Sequence, residues 1–60
     1  MYPETYWEVT QDNKVYTFKY EPLVVHHFMK RGWDKDTRVR LVALDGIIKL
    51  TYSAEDFMNL

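Results

Sequence analysis

Apolar and polar residues alternate in two parts of the chain, and the alternation fails between them. In "YWEVTQ" (6–11) and "KVYTFKY" (14–20), an extended backbone puts Trp7, Val9, Tyr16 and Phe18 on one side. Glu8, Thr10, Thr17 and Lys19 fall on the other. Asp12-Asn13 separates the two runs, and both residues tolerate turn conformations. A two-residue turn there pairs Val9 with Tyr16 and Trp7 with Phe18. The alternation and the turn demand the same register, which predicts a hairpin.

The second alternating region is "VRLVAL" (39–44) and "IIKLTY" (47–52) around Asp45-Gly46, a strong type I′ signal. A two-residue turn pairs Ala43 with Ile48, Leu41 with Leu50 and Val39 with Tyr52. These six are expected to face the core. Arg38, Arg40, Val42, Leu44, Ile47, Lys49 and Thr51 then occupy the opposite face.

Between the hairpins, "EPLVVHHFMKRGW" (21–33) reads as a helix, although a strand through 23–29 competes. Pro22 suits a first turn, Gly32 suits the left-handed position just past the end, and Lys30 and Arg31 suit the last turn. Trp33 is expected to fold back onto that cap. At 100° per residue, Val24, Val25, Phe28, Met29 and Gly32 span one side, and His26, His27, Lys30, Arg31 and Leu23 the other. Near the end, Ser53 suits an N-cap for "AEDFMNL", with Asp56 making a weak capping box. So short a terminal segment frays unless it docks.

The expected fold is therefore α+β, in the order ββαββ. Two hairpins form a four-stranded antiparallel sheet in a single domain over 1–60, one helix packs on one face, and a short helical turn follows. The pattern leaves open how the hairpins adjoin, within one chain or across a dimer.

Sixty residues bury only about 60% of the surface that the unfolded chain exposes. Cysteine is absent, so no disulfide or thiolate site helps. Ten aromatic residues supply the mass instead, and a homodimer is expected to add further burial. No apolar run approaches the ~18 residues of a membrane span. The start, "MYPETYWEV", lacks the basic and apolar regions of a signal peptide. A cytoplasmic setting is the default expectation.

Net charge is −1, unevenly spread. Residues 26–40 carry five cations (Lys30, Arg31, Lys35, Arg38, Arg40) against Asp34 and Asp36, a net of +3, which leaves −4 elsewhere. That asymmetry hints at an anionic partner. In the helical reading His26 stacks over Lys30 and His27 over Arg31, four residues apart. All four form a candidate face for an anionic partner, and its histidines add charge on mild acidification. Adjacent helical histidines diverge by 100° and have cations beside them, so no metal site is expected. Solvated helix residues are the plainer reading of the pair.

On the second hairpin, Val42, Leu44 and Ile47 form an outward aliphatic group near the turn, with Arg38, Arg40 and Lys49 around it. Adjacent exposed aliphatics on so small a domain point to burial against something else. Binding of nucleic acid through Arg38, Arg40, Lys49, Lys30 and Arg31 is the alternative. Against it, most aromatics fall on the core side, Tyr6 excepted, and the chain is slightly acidic. Enzyme chemistry is not expected. The one serine, Ser53, is a cap, and both glycines serve turns. No cofactor is implied. The leading expectation is a small regulatory module that occludes a partner protein, inhibitor-like, of a kind that phages and mobile elements carry.

Overall fold

A computed structural model describes residues 4–60. The chain runs β1 (Thr5–Gln11), β2 (Lys14–Phe18), α1 (Glu21–Arg31), β3 (Arg38–Ala43), β4 (Ile48–Ser53) and α2 (Ala54–Met58). Asp12 and Asn13 have φ of 54° and 64°, the positive pair that a type I′ turn requires. The turn sets Val9 opposite Tyr16 and Trp7 opposite Phe18, as the alternation demands. In α1, Pro22 lies in the first turn, and the Leu23 N–H donates to the Tyr20 carbonyl at 3.1 Å. Gly32 ends the helix at φ 69°, and its N–H donates to the Phe28 carbonyl at 2.7 Å.

The sheet order is β2-β1-β3-β4. β1 pairs antiparallel with β3, from Thr5 opposite Ala43 to Thr10 opposite Arg38, so both hairpins join within one chain. Glu8 stands opposite Arg40, which places opposite charges across the junction. β2 and β4 are the edges.

The second hairpin corrects the expected turn. The Gly46 N–H donates to the Ala43 carbonyl, and the Ala43 N–H to the Ile47 carbonyl, each at 2.9 Å. Gly46 has φ 90° while Asp45 stays out of the positive region, so the type I′ turn is not made. The chain instead turns over Leu44-Asp45 and uses Gly46 for the left-handed residue of a three-residue loop. The ladder then slips. Leu41 opposes Leu50 as expected, but Val42 opposes Ile48, and Lys49 is the extra residue on β4. Ile48, expected beside Ala43 on the core side, therefore shares the opposite face with Val42.

Both helices cover one face of the sheet. Val9, Val39, Val24, Phe28, Ala54 and Phe57 form the buried cluster, with Trp7, Tyr16, Phe18, Val25, Tyr52 and Met58 packed against it. α2 docks rather than frays. Ser53 Oγ accepts the Asp56 N–H at 3.1 Å, and the Phe57 ring meets Trp7 at 5.2 Å, Phe28 at 6.2 Å and Tyr52 at 6.3 Å. Trp33 meets Phe28 edge-on at 5.7 Å, the fold-back expected of the α1 cap. A turn over 34–37 leads into β3. Its Thr37 hydroxyl is buried and donates to Asp34 Oδ1 at 3.0 Å. Among the described residues, no helix is long and apolar enough to cross a membrane.

Candidate functional site

Four aliphatic residues that the core does not absorb lie at or near the tip of the β3–β4 hairpin, while Val15, Leu23, Met29 and Leu60 are comparably exposed elsewhere. Leu44, Ile47, Ile48 and Leu50 are 64%, 54%, 49% and 44% exposed. The slip at Lys49 creates this arrangement. It turns Ile48 to the open face of the sheet, while Leu50 stays on the helix face. There α2 engages Tyr52 but leaves Leu50 outside the buried cluster. The aliphatic groups thus straddle the end of edge strand β4.

Val42 corrects the expected anchor, because it is only 5% exposed. It lies on an inner strand, flanked on its own face by Tyr6 of β1 and Ile48 of β4. Leu44 and Ile47 keep the exposure expected of them. Ile48 and Leu50, assigned to the core, are the tip residues that pattern reading missed.

The expected ring of cations does not close around the tip. Arg40 forms an ion pair with the largely buried Glu8. Arg38 Nη1 donates to the Lys35 carbonyl at 2.7 Å and the Thr37 carbonyl at 3.1 Å. Five residues of strand, about 16 Å, separate Arg38 from Ala43. Among the described residues, Lys49 is the cation at the tip that makes no hydrogen bond or ion pair.

The histidine face is also corrected. His26 is exposed, but His27 is buried together with Val24 and Phe28, and Met29 is the exposed residue. α1 is turned toward His27 because β1 and β2 offer it partners. Its ring lies 4.8 Å from Tyr16, 5.4 Å from Phe18 and 5.5 Å from Phe28. Nε2 lies 2.8 Å from Gln11 Oε1, and Gln11 Nε2 donates to the Gly32 carbonyl at 2.9 Å. Arg31 also turns toward the sheet, where Nη1 donates to the Tyr16 hydroxyl at 3.4 Å and its guanidinium lies 5.6 Å from the ring centre. Of the expected four-residue face, His26 and Lys30 remain without such partners. Burial, and then the charge of Arg31, hold the His27 imidazole below its ordinary pKa of 6.5.

Two shallow clefts of about 240 Å³ open on the surface of the described residues. One is lined by Trp33, Asp34, Lys35, Ser53 and Glu55, the other by Thr10, Asp12, Asn13, Asp34 and Asp36. Both fall below the roughly 300–1,000 Å³ of small-molecule pockets. Among the described residues, no group of three His, Cys, Asp or Glu is arranged to hold a metal ion. Comparisons with protein-family models, with curated proteins and with solved structures gave no match.

Proposed function

We propose that this chain is a protein-interaction module that works by occlusion, with the tip of the β3–β4 hairpin as its contact surface. One observation carries the reading. Leu44, Ile47, Ile48 and Leu50 are half-exposed together, while Val9, Val24 and Val39 of the same small domain are fully buried. Contiguous exposed aliphatics mark binding surfaces on small soluble domains. The tip would enter an apolar pocket of the partner, and Asp45 and Lys49 would form the polar rim. Occlusion follows from size, since a 60-residue domain seated on a pocket blocks other ligands of that pocket.

Nucleic-acid binding has less support. Arg40 is neutralised by Glu8, Arg31 is drawn to Tyr16, and Trp7, Tyr16, Phe18, Phe28, Tyr52 and Phe57 pack in or against the core, which leaves Tyr20 and Trp33 as the large exposed rings among the described residues. Stacking on bases needs rings in solvent.

The test compares wild-type and Leu44→Asp/Ile47→Asp proteins as baits in host extract, with and without nuclease. Both substitutions lie in the exposed loop, so circular dichroism should report an unchanged fold. A protein held by wild type, retained after nuclease and lost by the variant supports the reading. Capture that disappears with nuclease, or that the variant retains, refutes it. Sedimentation of both baits separates a second copy from a different partner.

A further inference from the structure

We infer that the β2 edge of the sheet is a seam for a second copy of this chain, which joins two four-stranded sheets antiparallel across a two-fold axis. The inference is independent of the hairpin tip, which lies toward the other edge.

The backbone of β2 supplies the first observation. In a two-residue hairpin the residues that flank the turn form a hydrogen-bonded pair, and such pairs then alternate along the ladder. Gln11 opposite Lys14 is the flanking pair, so Lys14, Tyr16 and Phe18 direct their N–H and C=O groups to β1. Val15 and Thr17 direct theirs outward, where they have no partner among the described residues. The two edges of the sheet differ. β4 carries the extra residue Lys49, whereas β2 pairs residue for residue, and its lysines, Lys14 and Lys19, stand at one end and just past the other. Residues 15–17 are therefore a regular, uncharged template for another strand.

A second copy fits this template. A two-fold axis uses the same surface twice. With Tyr16 opposite its counterpart, Val15 meets Thr17 of the second copy and Thr17 meets its Val15. Each pair exchanges two hydrogen bonds, so every outward group of Val15 and Thr17 is satisfied within the strands.

Charge favours a second copy over an unrelated strand. The cleft lined by Thr10, Asp12, Asn13, Asp34 and Asp36 has three carboxylates and no cation, and it lies at the turn end of the β1–β2 hairpin. Lys19 is exposed just past the opposite end of β2. The Tyr16 register brings Lys19 of each copy to Asn13 of the other, beside that acidic cleft, twice per dimer. Exposed aliphatics stand at the same edge: Val15 on the open face, and Leu23 one turn before His27, the α1 residue that covers Tyr16 and Phe18. One contact opposes the seam. Tyr16 carries Arg31, so like charges approach at the axis, and the two lysine–acid contacts at the ends offset it. The joined sheet leaves a free hairpin tip toward each outer edge.

Sedimentation equilibrium of the wild type, from micromolar to millimolar concentration, should show reversible exchange between monomer and dimer. Amide exchange by NMR at both ends of that range should find Val15 and Thr17 protected about tenfold or more in the dimer and unprotected in the monomer, while Tyr16 and Phe18 stay protected throughout. Thr17→Pro removes one outward N–H where an edge strand accepts proline, so it should stay folded by circular dichroism and be monomeric. Lys19→Glu keeps every backbone group and should raise the dimer dissociation constant about fivefold or more. Leu44→Asp/Ile47→Asp should dimerise like wild type. The seam is overturned if the wild type stays monomeric at millimolar concentration, or dimerises without protecting Val15 and Thr17. It is also overturned if Lys19→Glu, or a folded Thr17→Pro, dimerises as tightly as wild type. A dimer that Leu44→Asp/Ile47→Asp abolishes overturns it too, and leaves the tip as the interface.

Discussion

Replacing Phe57 with alanine should remove most of the stability of this domain, although only three residues follow it in the sequence. Its ring is buried at the meeting point of three elements, edge-on to Trp7 of β1, Phe28 of α1 and Tyr52 of β4. Truncating a buried phenylalanine costs about 3–5 kcal/mol, through lost transfer energy and the cavity left behind. At roughly 0.05–0.15 kcal/mol per residue, sixty residues hold about 3–9 kcal/mol in total. Phe57→Ala should therefore leave a large unfolded fraction at 25 °C. Phe57→Leu keeps much of the volume but loses the three edge contacts, each worth about 0.5–1.5 kcal/mol, and should cost at least about 1.5 kcal/mol. Urea denaturation by circular dichroism measures both, and tryptophan fluorescence in a Trp33→Phe background reports the Trp7 contact. A cooperative transition for Phe57→Ala within about 1 kcal/mol of wild type would show that α2 is an appendage and that the cluster closes without it.

Three further outcomes are expected. Gly32→Ala should cost about 1–3 kcal/mol in urea denaturation, because φ 69° with ψ −169° is a region that only glycine enters freely; an added Cβ meets no atom within 4 Å, so the cost is backbone strain and not crowding. A double-mutant cycle on Glu8→Gln and Arg40→Gln should give a coupling of up to about 1 kcal/mol that shrinks in high salt, since Arg40 is partly solvated, and zero coupling at low salt would remove the pair as a determinant of the β1–β3 register. His27 in the folded state titrates below 6.5, so as pH drops through 6.5 the unfolded chain binds a proton that the folded chain refuses; stability should be full above 6.5 and fall below it until the folded-state value is passed, and a flat wild-type profile between pH 7.5 and 5 would contradict this.

The elements of the fold were legible because local signals agreed with one another. Trp7, Val9, Tyr16 and Phe18 alternate in phase with the Asp12-Asn13 turn, and Pro22 and Gly32 bracket the helix. Sheet order was not legible from alternation, which tells a strand its face but not its neighbour. The signal for the β1–β3 junction was present in another form, as Glu8 and Arg40, oppositely charged and in register. Asp45-Gly46 misled for a different reason. The dipeptide suits a type I′ turn, but a glycine at φ 90° also closes a three-residue loop, and local preference does not choose between them. A difference of one residue at the turn was enough to carry Ile48 to the other face.

The site was less legible, because it depends on phases that single elements do not fix. Residue type alone favours Met29 over His27 for the inner side of α1. Gln11 reverses that preference by continuing the Trp7, Val9 alternation on the face under the helix, where its carboxamide needs partners. At the hairpin tip, the same slip that exposes Ile48 also limits how a partner approaches. Lys49 is both the extra residue and a charge on an edge strand, and bulges and lysines are what keep exposed edges from recruiting further strands. The backbone of β4 is thus guarded at the point where its side chains are most exposed. A partner of this surface should accept aliphatic side chains into a pocket rather than extend the sheet.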